Sequence, residues 1–398
     1  MQRLALLILI AAAILALLLA RLGLAQIARP ESPLPPTEPP ASTLQPTVDP
    51  SPMHTPNAIV NAPTSIGRDA PSVTLTPTAS SALSPEPEED RSTTAPIPSA
   101  DEKGAADPQI NIPLYPPNTM GDILVLEYHN ISRPEGRWTR TPENFRLDLE
   151  YLLTHGYYPV NLIDVVRQNL DHVPRGRRPV VLTFDDSTGG QFRYLEDDSI
   201  DPDCAVGILL SIHQAYGEDW PLRATFFVLL LSADRPGALL FRQSDSGPQK
   251  VRALVDWGME IGSHTIHHVN LGQITAAEIK WELAVSQDRI AALAPGYTVR
   301  SFSVPYGAYP SDISLLKGGY SESADLHYRY EAAVQVGYRP APSPFSPDFN
   351  PYFIPRVQAF QASLDQWFVY YEQHPELYYV SDGGQDSEPD QQQSYQEP

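Results

Sequence analysis

PVVLTFDD, residues 179–186, places six strand-forming residues directly before two adjacent carboxylates. The run is short and rich in Val, Thr and Phe, and its unbroken apolar character marks a strand buried on both faces, as in a parallel sheet. Both carboxylates then fall at the strand's carboxyl end, where parallel α/β folds keep their chemistry. Working outward, ILVLEY (123–128), ATFFVLLL (224–231), MEIGSH (259–264) and VRSFSV (299–304) read as further strands, with a short one near 158–160. Helical signals separate them. Thr141 and Pro142 form a cap and first-turn pair ahead of Phe145, Leu149 and Leu152, and Gly156 stops that helix. Others are expected near 162–170, 204–216 and 249–257, and a Thr275/Glu278 capping box opens the longest, which runs towards Leu293. The alternation predicts an α/β fold with a parallel sheet or barrel.

Two more clusters stand at strand ends. HTIHH (264–268) crowds three of the chain's 10 histidines into five positions, with His264 and His268 four apart. SVPYG (303–307) is a strand end followed by a rigid aromatic turn. Each has an ordinary reading by itself: a turn that favours Asp, solvated histidines at a helix start, a plain turn. Together they describe a site. One Asp and two His supply three ligands for a divalent ion, with a fourth position open for water. The other Asp is then free to act as a base on that water. Neighbouring carboxylates repel unless a cation stands beside one of them, so the ion also keeps the base ionised.

The rest of the 398 residues divides unevenly. Half of the 42 prolines lie between Pro30 and Pro117, and the first aromatic residue is Tyr115. A stretch without rings and with few large aliphatics buries too little apolar surface to offset the entropy of ordering, so 29–118 reads as a disordered Pro/Ser/Thr-rich spacer. A barrel-sized domain is expected over 119–380, and a disordered acidic tail over 381–398. Ahead of the spacer, an unbroken apolar run spans 4–20 between Arg3 and Arg21. Its length falls between a signal-peptide core and a membrane span, so 1–28 is either a cleaved signal or a retained anchor, and export is expected either way. The net charge of −21, with 27 cations against 48 carboxylates, excludes a nucleic-acid partner of the usual kind. Cys204 is the single cysteine and forms no internal disulfide.

The strand-end residues resemble the polysaccharide deacetylases, the NodB-homology family also called carbohydrate esterase family four. TFDD (183–186) and HTIHH look like that family's first two motifs, and SVPYG like its third. LEYHNI (126–131) and TPENFRLDLEYLLTHGYYPVNLIDVV (141–166) are similar to the subgroup acting on exopolysaccharides of N-acetylglucosamine. The resemblance covers roughly 123–357. It implies a distorted (β/α) barrel with fewer than eight regular strands. It also implies Asp185 as general base, Asp186, His264 and His268 as ligands of a divalent metal such as Zn2+, and the Tyr306 backbone N–H as an oxyanion donor. The implied reaction is removal of N-acetyl groups from an acetylated amino-sugar polymer; with export this takes place outside the cytoplasm, and a monomer is expected that touches the membrane through 4–20 if that segment is uncleaved. An O-acetyl esterase and a catalytically weakened glycan-binding surface protein are the alternatives.

The chain departs from that family's pattern at several points. Ser303 stands where the third motif commonly carries an Arg that tunes the base, and Arg300 lies too early to replace it. Arg356, in FIPRVQ, is the candidate cation. No Leu-x-x-His segment follows Tyr306 to provide a general acid. His129 is therefore the candidate proton donor, against the alternative of a histidine bonded within its own loop. His267 is an alternative to His268 as ligand. A long insertion, 187–222, carries Glu196, Asp197, Asp198, Asp201 and Asp203, which read either as a solvated rim or as a cleft lining that attracts an amine product. Activity is expected to fall at low pH as Asp185 protonates and protons compete for the histidines.

Overall fold

Buried Val, Leu, Ile and Phe of the apolar runs pack into one continuous core around a parallel sheet. The structure, a computed structural model, describes residues 110–231 and 240–384. Strand β1 (Leu124–Tyr128) is followed by the short pair β2 (Asn130–Ile131) and β3 (Thr139–Arg140), helix α1 (Pro142–Thr154), β4 (Tyr157–Val160), α2 (Leu162–Val166) and β5 (Arg178–Phe184). Next come α3 (Ala205–Tyr216), β6 (Thr225–Val228), α4 (Gly247–Asp256), β7 (Glu260–Ser263), α5 (Ala276–Leu293) and β8 (Ser301–Ser303). A hairpin of β9 (Gly318–Ser321) and β10 (Leu326–Arg329) leads to β11 (Ala332–Val334), β12 (Val357–Gln358) and α6 (Gln361–Gln373).

The main sheet has eight strands in the order β11-β8-β7-β6-β5-β1-β12, with β4 added beside β5. All of its pairs are parallel, and β5 is shared: β4 takes its first half and β6 its second. Closure is made by the segment that ends in β12. Ile354 bridges Val334 of β11 in parallel, and three residues later Val357 pairs with Leu126 of β1. The sheet therefore curls into a distorted (β/α) barrel, as the resemblance implied. Eight strands take part, of which β12 is only two residues long, its register pairs Leu126–Val357 and Glu127–Gln358 both following Arg356.

The local signals explain the elements. Thr141 Oγ1 accepts from the Asn144 amide at 3.2 Å and opens α1, whose Phe145, Leu149, Leu152 and Leu153 are buried. The Thr275/Glu278 box opens α5 reciprocally. α2 stops at Val166, earlier than expected, with Gln168 in the left-handed region at φ 58°. Both expected domain edges fall inside the folded body. Residues 110–118 pack on it: Ile110 and Ile112 lie against the core, Arg178 sits 3.5 Å from the Tyr115 ring centre, and Asn118 bridges Val380. At the other end Ser381 is buried, donates its Oγ to the Val173 carbonyl at 2.8 Å and accepts from the Gly383 amide at 3.0 Å. The apolar run 4–20, most of the spacer and residues 385–398 lie outside the described residues. Among the described residues no helix is long and apolar enough to cross a membrane.

Candidate active site

β1 and β5, and β7 and β8, are neighbours on either side of β6, and the loops that leave these four strands carry the cluster. Parallel register sets this directly: Tyr128 pairs with Phe184, and Ser263 with Phe302, so the residues that follow each strand converge on one rim. Reaching that convergence costs backbone strain. Among the described residues ten non-glycine residues have positive φ; four lie in the three motifs, Asp186 (77°), Thr265 (65°), His268 (54°) and Tyr306 (59°), and Ser187 (49°) directly follows the first. Each such conformation costs roughly 1–3 kcal/mol and persists where surrounding contacts impose it.

Asp185 is the most constrained carboxylate. It is 1 % exposed and takes a two-pronged contact from Arg356, Nη1 to Oδ1 at 2.9 Å and Nη2 to Oδ2 at 2.7 Å. Ser303 Oγ donates to Oδ2 at 2.9 Å. Burial pushes the carboxyl up, but the Arg356 guanidinium and His264 outweigh it and hold Asp185 well below the usual carboxylate range. Arg356 is itself fully buried and also reaches Glu127 Oε1 at 3.2 Å and Thr183 Oγ1 at 3.1 Å. Glu127 goes the other way, since burial outweighs Arg356 and keeps its carboxyl above the ordinary value. One cation thus serves two acids of opposite tendency. Such bidentate, charge-assisted pairs are the strong form of the interaction.

Asp186, His264 and His268 stand beside this pair. Asp186 Oδ1 lies 3.5 Å from His264 Nε2 and 3.6 Å from His268 Nε2. A tetrahedral ion with bonds of roughly 2.0–2.1 Å separates its ligands by roughly 3.3–3.4 Å, so the three donors fit one metal of zinc-like size. Orientation fits as well: His264 Nδ1 is 2.9 Å from the Ser303 carbonyl, which assigns the proton to Nδ1 and leaves the Nε2 lone pair towards Asp186. Burial raises the Asp186 carboxyl, but the bond to His264 outweighs it and the group falls to about 2. His264 is lowered by burial and raised more by Asp185 and Asp186, ending above its ordinary value.

His267 is placed elsewhere. Its Nδ1 is 2.7 Å from Glu282 Oε1, and its ring stacks on Trp281. Glu282 of α5 also accepts the backbone amides of Ile266 (2.9 Å) and His267 (3.1 Å), so a helix carboxylate holds the whole HTIHH loop. His129 does reach the cluster, with Nε2 3.9 Å from Glu127 Oε1 and its ring against Trp138. Its Nδ1 is buried with no hydrogen-bond partner, unlike a histidine bonded within its loop. Tyr306 sets its ring edge against His268 at 4.5 Å and is 55 % exposed. Within the insertion Asp201 pairs with Arg193, Asp203 with Arg133, and Asp197 closes a turn at Ser199. Glu127 and Glu282 were not anticipated. A lone carboxylate inside ILVLEY was the available signal for the first, and nothing in the helix pattern marks the second.

Residues 172–320 match the model of the polysaccharide deacetylase family, a span that contains both TFDD and HTIHH. Over that span the chain is similar to the polysaccharide deacetylases. It is 29% identical over 150 residues to a chitooligosaccharide deacetylase of Bradyrhizobium sp. (strain ANU 289), covering 37% of this chain and 54% of that one. The chain therefore spans about half the length of that curated relative. Among solved structures it is similar to a polysaccharide deacetylase of Bacillus cereus, with 18% identity, a TM-score of 0.45, and coverage of 63% and 69% of the two chains. It is also similar to the deacetylase PplD of Streptococcus pyogenes, with 19% identity, a TM-score of 0.45, and coverage of 61% and 93%. Glu127, His129 and Arg356 lie outside the matched span, and the barrel brings them to it.

Proposed function

We propose that this chain is a metal-dependent deacetylase that removes N-acetyl groups from an amino-sugar polymer outside the cytoplasm. The observation that carries this reading is the clamped Asp185 standing against the Asp186, His264 and His268 donor set. Asp186, His264 and His268 would hold a divalent ion, Zn2+ by the chemistry of the donors, which would act as a Lewis acid towards a water and the acetamide carbonyl. Asp185, held ionised by Arg356 and Ser303, accepts the water's proton as oxygen adds to the carbonyl carbon. Its depressed proton affinity keeps it in the basic form at neutral pH. The Tyr306 backbone N–H meets the charge that develops on the carbonyl oxygen. The C–N bond then breaks, His129 gives a proton to the departing nitrogen, and acetate and a free amine result. Glu127 holds both Arg356 and His129 in place. The apolar run 4–20 and the proline-rich spacer support export, with the membrane reached through that run if it is uncleaved and the enzyme acting as a monomer.

The test is acetate release measured side by side on chitooligosaccharides, poly-N-acetylglucosamine and acetylxylan. Release from the first two is expected, with loss on chelation and recovery on adding Zn2+. Asp185→Asn should lower kcat by roughly 10²–10⁴-fold while bound metal is unchanged. Release from acetylxylan alone would reassign the site to O-acetyl esters. No release together with no bound metal would leave a glycan-binding surface protein.

A further inference from the structure

A second concavity adjoins the cluster without belonging to it. It has a volume of about 420 Å³ and lies between the Val336–Tyr338 loop, Gln358 and the first turn of α6, with Arg137 on one side. Small-molecule sites occupy roughly 300–1,000 Å³, so a sugar unit can be accommodated. The groove opens at the same carboxyl-terminal edge of the sheet as the active site, because Gln358 of β12 is register partner to Glu127 of β1. The two also share a wall. The Gln335 carbonyl accepts from Arg356 Nε at 2.6 Å, and the Gly337 amide donates to Glu127 Oε2 at 3.2 Å. A Cβ at Gly337 would collide with the Arg356 backbone, so the loop lies flat there and turns Tyr338 outward, 81 % exposed. On the other side, Trp138 packs on His129 at 4.6 Å and carries the Arg137 guanidinium 5.2 Å above its ring. His129, Trp138 and Arg137 thus form a path from the reacting centre into the groove.

The groove's chemistry is selective. Arg137 is its charged lining residue, and among the described residues no carboxylate lines it. Nε and Nη2 of Arg137 donate to Gln358 Oε1 at 3.3 and 3.2 Å, which fixes the fork without neutralising it. Its neighbours Arg133, Arg140 and Arg356 all hold carboxylates. Tyr338 and Trp367 offer ring faces of the kind on which the C–H face of a pyranose packs. The N–H groups of Arg137 suit neutral acceptors such as an acetamide carbonyl or a hydroxyl. A sugar bearing a free amine is a cation near neutral pH, and beside Arg137 it meets a like charge with no counter-ion.

We propose that this groove binds an N-acetylated sugar unit flanking the one under attack, with Tyr338 as stacking platform and Arg137 rejecting a unit already deacetylated. The proposal rests on the polymer-deacetylase reading and adds a consequence: the enzyme works poorly beside its own product and leaves acetyl groups in a dispersed pattern. The test uses the full chain carrying Asp185→Asn, titrated calorimetrically with fully acetylated and fully deacetylated glucosamine pentamers, in both β-1,4 and β-1,6 linkage, and with the monosaccharide N-acetylglucosamine. The acetylated pentamer of one linkage should bind about tenfold more tightly than its deacetylated form, and Tyr338→Ala should weaken it about tenfold. Arg137→Glu should abolish or reverse the preference, and N-acetylglucosamine itself, which has no flanking unit, should bind equally to all variants. Equal binding of both pentamers, binding of neither, or indifference to both substitutions would overturn the proposal. Failure of the deacetylase reading would show separately, as absence of acetate release by the unsubstituted protein while the pentamer preference persists.

Discussion

Arg356 neutralises one charge among two buried acids, and that arithmetic makes it the most sensitive residue of the site. Arg356→Met leaves Asp185 and Glu127 buried without a cation, a change of the kind that costs about 3–5 kcal/mol. Denaturant unfolding should show that loss. The same substitution should alter the pH profile in a defined direction. Asp185 is depressed in the folded protein, so its contribution to stability is present above its unfolded value, near 4, and is lost only as pH falls through the lower folded value. With Arg356 present, Asp185 stays ionised across roughly pH 4–8, and the acid loss of activity belongs to protons competing for His264 and His268. This corrects the expectation that Asp185 itself titrates there. In Arg356→Met the carboxyl rises, so the pH of half-maximal activity at saturating metal should move up; an unmoved acid limb would separate Arg356 from the base. At this scale the sequence exposes Asp185, Asp186, His264 and His268, since each is chemically out of place at the end of an apolar run. Glu127 was visible but unread, because one carboxylate in a strand has no partner until the neighbouring chain is known.

α5 illustrates how an element acts on a site it does not line. Its amino end is set by the Thr275/Glu278 box, and its Glu282 then holds two backbone amides and the His267 ring. Second contacts of this type commonly shift metal affinity by about 10–100-fold. Glu282→Ala should weaken metal binding by that order, measured by titration with Zn2+. His267→Ala should leave bound metal unchanged, whereas His268→Ala should remove most of it. Equal loss in both would return His267 to the ligand set. The helix itself was legible from its cap and periodicity. Its carboxylate's partner was not, because Glu282 and His267 meet across fifteen residues of turn and helix.

For the whole molecule, the folded body begins earlier than composition suggests. Ile110, Ile112 and Tyr115 follow a proline-rich stretch and themselves sit among prolines, yet they cover apolar surface and the Arg178 guanidinium. A chain beginning at residue 119 should therefore be less stable than one beginning at 110 by about 2 kcal/mol or more, read as a lower thermal midpoint. Equal midpoints would show that 110–118 is ornamental. The strands from 123 to 304 and the helices between them were determined by sequence alone, because period, capping and apolar run length are local properties. So was the pairing of two carboxylates with two histidines at strand ends, which parallel topology brings to one rim. Only the tertiary structure decided the closure through Ile354 and Val357, the choice of Arg356 over Arg300, and the groove at Arg137. Those depend on contacts between residues more than a hundred positions apart, such as Arg356 with Asp185 and Arg137 with Gln358, which burial and barrel closure select and no local pattern encodes.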